Sequence, residues 1–186
     1  MINYYGDGCF RLQSGDLSLL VDPNNNRLKA DIVLKTLTPV GNYSGETNEI
    51  NFPGEYEVKG VEIWGWQVPQ ESGEKFVKSI YLVRWEGIRF AILGHITELP
   101  SAELVENIDD ADILILPVGG GHFLSPEKAA RLSKQLEPAL VIPSFSKDPK
   151  EFLKEMGQKG EVQEKIVFKK KDLDQEKTKV VPLSAS

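Results

Sequence analysis

The sequence predicts an α/β fold in which two mixed β-sheets pack against each other and helices cover them on the outside. Apolar stretches of strand length come first, over residues 2–13, 17–22 and 32–36, whereas the signals for helices begin only after residue 100. Residues 113–116 and 140–142 are short apolar stretches without alternation, which is typical of strands buried on both faces. Strands followed by alternating helices and strands favour a layered sandwich.

Two predicted hairpins have the same plan. Residues 2–13 pair with residues 17–22 in the first, residues 79–85 pair with residues 89–93 in the second, and each turn contains a glycine. Both hairpins end at a short corner: Asp22-Pro23 in the first and Gly94-His95 in the second. This likeness is consistent with an internal repeat of the fold.

Helix starts are readable from capping residues. Ser101 can cap one helix, and Ser125 followed by Pro126 combines a cap with a proline in the first turn. Asp148-Pro149 gives the same signal for a third helix. These helices are predicted to pack against the outside of a sheet.

The length of the chain favours one domain. At 186 residues it can bury one hydrophobic core, and we predict a single domain over residues 1–186. Residues 158–186 form a charged extension with short apolar stretches at 166–168 and 180–183. We predict a terminal hairpin there, followed by a frayed tail.

Composition excludes several classes of function. The net charge of -6 argues against a nucleic-acid partner, since such binding needs concentrated positive charge. No apolar run approaches the roughly 20 residues that span a bilayer, so we expect no membrane partner and a cytoplasmic location. Cys9 is the single cysteine, which rules out an internal disulfide, and we expect it to be a buried hydrophobe.

Five stretches of the chain carry a family resemblance. In chain order they are residues 2–10, 17–23, 52–61, 113–121 and 141–143. Together they resemble the metallo-β-lactamase superfamily, in the branch that includes the sugar-phosphate lactonases. The resemblance implies a four-layer αββα sandwich. In a working member it also implies one or two zinc ions, held mainly by His and Asp, that activate water for hydrolysis.

The main metal-ligand motif of that family is missing here. Relatives carry His-x-His-x-Asp-His in the loop after the strand that corresponds to residues 30–36. The corresponding residues of this chain are Leu37, Pro39, Gly41 and Asn42. Leucine, proline and glycine offer no side-chain lone pair, and asparagine is a poor zinc ligand.

The other family ligand positions are also changed. His95 stands at a corner where relatives have Asp, Phe145 stands near the last family His, and Asp7 replaces an N-terminal His. We therefore predict no metal, no cofactor and no catalytic residue. The sequence then favours a catalytically degenerate binding protein, with a small anionic ligand or a protein partner, and a homodimer as one arrangement. The alternative is a zinc-hydrolase-like enzyme with a reduced or altered centre around His95.

A remnant pocket is expected at the mouth of the sandwich. If the family layout holds, it is lined by Asp7, Asp22, Asn42, His95 and Ser144. His95 can act there as a general base or a lone metal ligand, oriented by Asp7 or Asp22. It can equally fill the vacated site and bond to one of those carboxylates.

A glycine run offers a second candidate site. Gly119, Gly120 and Gly121 precede the helix start at Ser125-Pro126. Close backbone approach and the helix N-terminus suit an anion, so these glycines are candidates for anion binding. The alternative is that they make only a tight strand-to-helix turn.

Overall fold

The computed structural model describes residues 1–41, 46–146, 148–173 and 176–186. Its strands are β1 (Ile2–Tyr4), β2 (Phe10–Ser14), β3 (Leu17–Val21), β4 (Ile32–Leu34), β5 (Leu37–Pro39), β6 (Glu49–Ile50), β7 (Gly54–Val58), β8 (Val61–Gln67), β9 (Phe76–Trp85), β10 (Ile88–Ile92), β11 (Ile113–Pro117), β12 (Leu140–Ser144), β13 (Lys165–Ile166) and β14 (Lys179–Val180). The α-helices are α1 (Ala102–Glu106), α2 (Pro126–Leu136) and α3 (Lys150–Glu155), and short 3-10 helices cover Pro69–Glu71 and Lys170–Asp172.

The strands form two mixed sheets. The order of the first is β13-β1-β2-β3-β4-β6, with antiparallel pairing up to β3 and parallel pairing beyond it. The order of the second is β14-β12-β11-β10-β9-β8-β7. It is parallel from β14 to β10 and antiparallel from β10 to β7, and β5 pairs with β9 beside this path. The predicted hairpin β9–β10 is confirmed, and so is the pairing of β2 with β3. Residues 2–13 are not one strand, however, because β1 and β2 are separate and pair antiparallel with each other.

The main core lies between the two sheets, and β9 shows how. Successive side chains of a strand point to opposite faces. Tyr81 and Val83 therefore pack between the sheets, while Ile80 and Leu82 face the helices. The predicted sandwich of two mixed sheets is confirmed.

The helices of the described residues pack on the outside of the second sheet. Ser101 accepts a hydrogen bond from the Leu104 amide and Ser125 from the Lys128 amide, as the capping signals predicted. The outer face of the first sheet carries a small cluster around Leu20. Among the described residues, no helix is long and apolar enough to span a bilayer.

The prediction of a terminal hairpin is wrong. β13 pairs with β1 in the first sheet, whereas β14 pairs with β12 in the second. The chain end is also not a frayed tail, because Val181 and Leu183 are buried in the core and the Ser186 amide donates to the Tyr4 carbonyl. Two edge positions thus hold this segment, and local apolar pattern does not reveal which strand each stretch will join.

Candidate functional site

Three polar side chains meet where β3, β4 and β10 end. The Asp22 carboxylate accepts hydrogen bonds from the Thr36 amide at 2.8 Å and from the Thr36 hydroxyl at 2.5 Å. The same hydroxyl oxygen lies 2.8 Å from Nδ1 of His95. Asp22, Thr36 and His95 therefore form a hydrogen-bonded chain, which we call the Asp–Thr–His chain.

A glycine allows this close approach. Gly94 has φ +55, and a Cβ atom built on it would lie 2.0 Å from the Thr36 hydroxyl oxygen. Any larger residue would push His95 away from Thr36. The corner residue Asp22 is itself in the left-handed region, with φ +41, so its carboxylate turns back over the start of the next segment.

The position of each proton in the Asp–Thr–His chain follows from counting donors. Thr36 has one hydroxyl proton, and Asp22 takes it when its carboxyl is ionised, the form that the two Thr36 bonds and the nearby His95 favour against burial. Nδ1 of His95 must then carry a proton and donate it to Thr36. This leaves Nε2 of the neutral imidazole with a free lone pair, and it makes no hydrogen bond to any residue that the structure describes.

Burial disfavours the charged form of both end residues of the Asp–Thr–His chain, Asp22 and His95. It raises the pKa of Asp22, although the nearby His95 and the two bonds from Thr36 oppose the rise. It lowers the pKa of His95; the Asp22 charge opposes that change and the Lys78 charge adds to it. An imidazole with a lowered pKa is neutral at pH 7, which is the form that accepts a proton.

Aromatic rings form one wall beside the imidazole. The ring of Phe145 lies 4.8 Å from that of His95, and Phe123 stacks on Phe145 at 4.1 Å between centroids. Phe145 has φ +53, and its ring packs on Gly8 so tightly that a Cβ there would lie 2.1 Å away. Both phenylalanines also line a cavity of about 590 Å³, with Asp7 at its edge.

The structure brings together some of the predicted pocket residues. Asp22 and His95 join through Thr36, whereas Asp7 lies at the cavity beside them. Ser144 is buried in β12, where its carbonyl accepts from the Val118 amide. Asn42 lies outside the described residues.

Two polar residues near His95 were missed by sequence reasoning. Thr36 ends the apolar stretch before the altered ligand motif, so its place next to a predicted site was the available signal. Glu71 lies in a short 3-10 helix outside any motif, and nothing in the sequence pointed to it.

The glycine run forms a closed turn. The Gly120 amide donates to the Leu124 carbonyl, and the Phe123 amide donates to the Gly120 carbonyl. Gly119 is needed for packing, since a Cβ there would lie 2.0 Å from the Phe145 carbonyl oxygen. Anion binding by Gly119, Gly120 and Gly121 stays a prediction.

The segment that aligns with the metal-ligand motif is partly a strand. Leu37–Pro39 forms β5, and Pro39 pairs with Phe76 of β9. Thr38 points inward and its hydroxyl donates to the Asn51 carbonyl at 2.6 Å. Strand pairing with β9 therefore holds this segment.

The donor set does not fit a zinc centre of the family type. Such a centre needs at least three protein ligands. Among the described residues, no three His, Cys, Asp or Glu side chains are grouped so that they could hold a metal ion. The Asp22 carboxylate, the nearest acid to His95, is already engaged by Thr36 through both oxygens. We therefore derive no chemical step through a metal.

Comparison with known proteins identifies the family. The profile of the beta-lactamase superfamily domain matches residues 1–144. The chain therefore belongs to the beta-lactamase superfamily.

Relatives and solved structures agree with this assignment. A protein of Thermococcus onnurineus named a metal-dependent hydrolase is 29% identical over 143 residues, which cover 66% of this chain and 62% of the relative. A protein of Pyrococcus furiosus with the same name is 27% identical over 57% of this chain and 51% of its own length. These matches span less than two thirds of the relatives. A crystal structure from Thermotoga maritima, described as a candidate Zn-dependent hydrolase of the metallo-β-lactamase superfamily, has TM-score 0.81 and 24% identity, with 98% of each chain covered. That likeness shows the fold.

These comparisons correct the functional prediction. The sequence favours a catalytically degenerate binding protein. That prediction is wrong, because the matched relatives are named hydrolases and the similar structure is described as one.

Proposed function

We propose that this protein is a hydrolase with an altered centre, in which His95 acts as a general base. The observation that carries the proposal is the Asp–Thr–His chain, which occupies Nδ1 of His95 and leaves Nε2 free. The superfamily and the hydrolase names of its relatives support the reaction class.

The proposed reaction is the attack of water on an ester-type bond. Nε2 of His95 takes one proton from water while the water oxygen bonds to the electrophilic carbon or phosphorus. As the bond to the leaving group breaks, the same proton passes from Nε2 to the leaving oxygen. Nothing else is consumed, and the imidazole ends neutral as it began.

Asp22 stabilises the intermediate charge in this scheme. Its Oδ2 atom lies 3.6 Å from Nδ1 of His95, and Thr36 lies between them. The imidazolium that forms during the reaction is therefore close to a buried carboxylate, whose attraction is stronger than in water. General-base catalysis of this kind contributes about 10²–10⁴-fold to rate.

Several earlier predictions are untested. The lactonase branch, a cytoplasmic location, a single domain over residues 1–186, a small anionic ligand and a homodimer all stay predictions.

The proposal is tested by hydrolysis of lactones and phosphodiesters with and without a chelator. His95→Ala should lower turnover by about 100-fold or more, because the proton acceptor is removed. His122→Ala is the matched control, since His122 is the second histidine and is exposed. Turnover that is unchanged in His95→Ala would rule out this function.

A further inference from the structure

A second buried carboxylate holds the segment that carries His95. Glu71 ends the 3-10 helix Pro69–Glu71, and only 7% of its side chain is exposed. The Thr97 amide lies 2.9 and 2.8 Å from its two oxygens, and the Thr97 hydroxyl donates at 2.8 Å. The Glu98 amide donates at 2.8 Å, and Lys78 Nζ completes the set at 2.8 Å.

These bonds set the path of the polypeptide on one side of the corner at His95. Thr97 and Glu98 follow His95 by two and three residues, so the carboxylate fixes the far side of the corner. On the near side, Gly94 packs on Thr36. Ile96, between them, is fully buried. His95 is therefore held from both directions, with Nδ1 against Thr36.

We propose that Glu71 is a positioning residue for His95, which keeps Nδ1 bonded to Thr36 and so keeps Nε2 available as the base. The inference rests on the proposed function. Glu71 acts through the backbone of Thr97 and Glu98 and contacts no reacting atom.

The geometry explains why a carboxylate is needed at this position. Four donor groups converge on Glu71, and all of them require acceptors. Glutamine has the same shape, but it offers one acceptor oxygen and turns an amide N–H₂ toward other donors. Glu71→Gln must therefore lose bonds to the segment after His95.

The charges that face His95 come from two elements. Asp22 approaches from the end of β3, and Lys78 lies in β9. The other side chains that contact the imidazole, Thr36, Phe123 and Phe145, are neutral. Glu71 holds Lys78 by an ion pair, so the carboxylate that binds Thr97 and Glu98 also fixes the cation near the imidazole. We call Glu71 and these bonds the clamp.

The test reads the imidazole nitrogens directly by ¹⁵N NMR of the full chain at neutral pH. In the wild-type protein His95 should be one neutral tautomer, with protonated Nδ1 and unprotonated Nε2. In Glu71→Gln the separation between its two nitrogen resonances should shrink, because both tautomers become populated. His122 serves as the internal reference.

The matched control is Glu98→Gln. Glu98 lies on the same segment, but its side chain is exposed and pairs with Lys128. This variant should leave the His95 resonances unchanged. An equal change in both variants, or none in Glu71→Gln, overturns the proposal.

A milder variant keeps the test decisive if Glu71→Gln does not fold. Thr97→Val removes only the hydroxyl bond to Glu71 and should shift the His95 resonances in the same direction by less. Unchanged resonances in folded Thr97→Val would then overturn the proposal.

The kinetic readout separates this inference from the proposed function. If both are right, Glu71→Gln should lower kcat by up to about 100-fold with little change in KM, as expected for a displaced catalytic group. If His95→Ala retains turnover while Glu71→Gln still changes the His95 resonances, the proposed function fails and the structural clamp remains. If His95→Ala loses turnover but Glu71→Gln changes neither kcat nor the His95 resonances, only the positioning role of Glu71 fails.

Discussion

One buried carboxylate, Asp22, is linked to His95 through Thr36, another, Glu71, binds the residues that follow His95, and their pKa values move in opposite directions. The side chains of Asp22 and Glu71 are 9% and 7% exposed. Burial raises the pKa of Asp22, and hydrogen bonds with Thr36 do not reverse this. Burial also opposes the charge on Glu71, yet bonds from Lys78, Glu98 and Thr97 lower its pKa overall.

The two carboxylates differ in their partners. Glu71 has a full cation and three backbone or hydroxyl donors, so its charge is compensated in place. Asp22 faces a neutral imidazole through a single threonine. A carboxylate with incomplete compensation can respond to a charge that forms on its neighbour, whereas a compensated one serves as a fixed anchor. The comparison assigns reaction chemistry to Asp22 and positioning to Glu71.

The largest expected effect is on turnover in Asp22→Asn. The amide keeps the shape but removes the charge that stabilises protonated His95, and it can present an N–H to Thr36. We expect turnover to fall by about 10²–10⁴-fold, as for the loss of a charge that orients a catalytic histidine. Steady-state kinetics measure this.

Asp16→Asn is the control for that variant. Asp16 is exposed in the turn between β2 and β3, so the same chemical change there should leave turnover intact. Wild-type rates in Asp22→Asn would remove Asp22 from the mechanism and erase the functional difference between the two carboxylates.

The next effect is on stability in Glu71→Met. Removing the carboxylate leaves Lys78 and the amides of Thr97 and Glu98 without their acceptor. Breaking a buried ion pair from one side typically costs about 3–5 kcal/mol. Urea denaturation should show this loss.

Lys78→Met combined with Glu71→Met provides the check. It removes both charges, so part of the lost stability should return. A loss below about 1 kcal/mol in Glu71→Met would mean that the clamp is an ordinary exposed contact.

Much of the fold was predictable because its signals are local. Hairpin turns and the caps at Ser101 and Ser125 depend on residues a few positions apart. The pairing of β13 and β14 was not predictable in this way. Each of these strands joins a partner far away in the chain, and a two-residue strand carries no register signal of its own.

The site was predicted in part for the same reason. Asp22 and His95 stand at corners where family resemblance places functional residues. Thr36 and Glu71 act through contacts between residues far apart in the sequence. Glu71, for example, bonds to Thr97, which is 26 residues further along. The functional prediction rested on the missing ligand positions, whereas the link between Asp22 and His95 through Thr36 becomes visible only in the fold.

A smaller effect concerns how stability depends on pH. An acid with a raised pKa in the folded protein makes unfolding easier as pH rises above its ordinary value, because the unfolded chain releases that proton first. For Asp22 this loss of stability begins as the pH rises above 3.8, the ordinary pKa of an aspartate. For Glu71, whose pKa is lowered, stability is present above 4.5 and is lost as pH falls below it.

Denaturation at a series of pH values separates these two contributions. Relative to the wild-type protein, Asp22→Asn should gain stability as pH rises above 3.8. Glu71→Gln should lose relative stability as pH rises toward 4.5, because only the wild-type protein gains there. Parallel curves for the two variants would contradict the assignment of opposite shifts.

The smallest expected effect is the change in the pKa of His95 when Lys78 loses its charge. Lys78 lowers the pKa of the imidazole, so Lys78→Met should raise it. An NMR titration measures the shift, with His122 as the reference in the same spectrum. Lys128→Met is the control, because Lys128 pairs with Glu98 and is not among the charges that act on His95. A pKa of His95 that stays constant in Lys78→Met would show that the clamp at Glu71 acts on the imidazole through geometry alone, without the lysine charge.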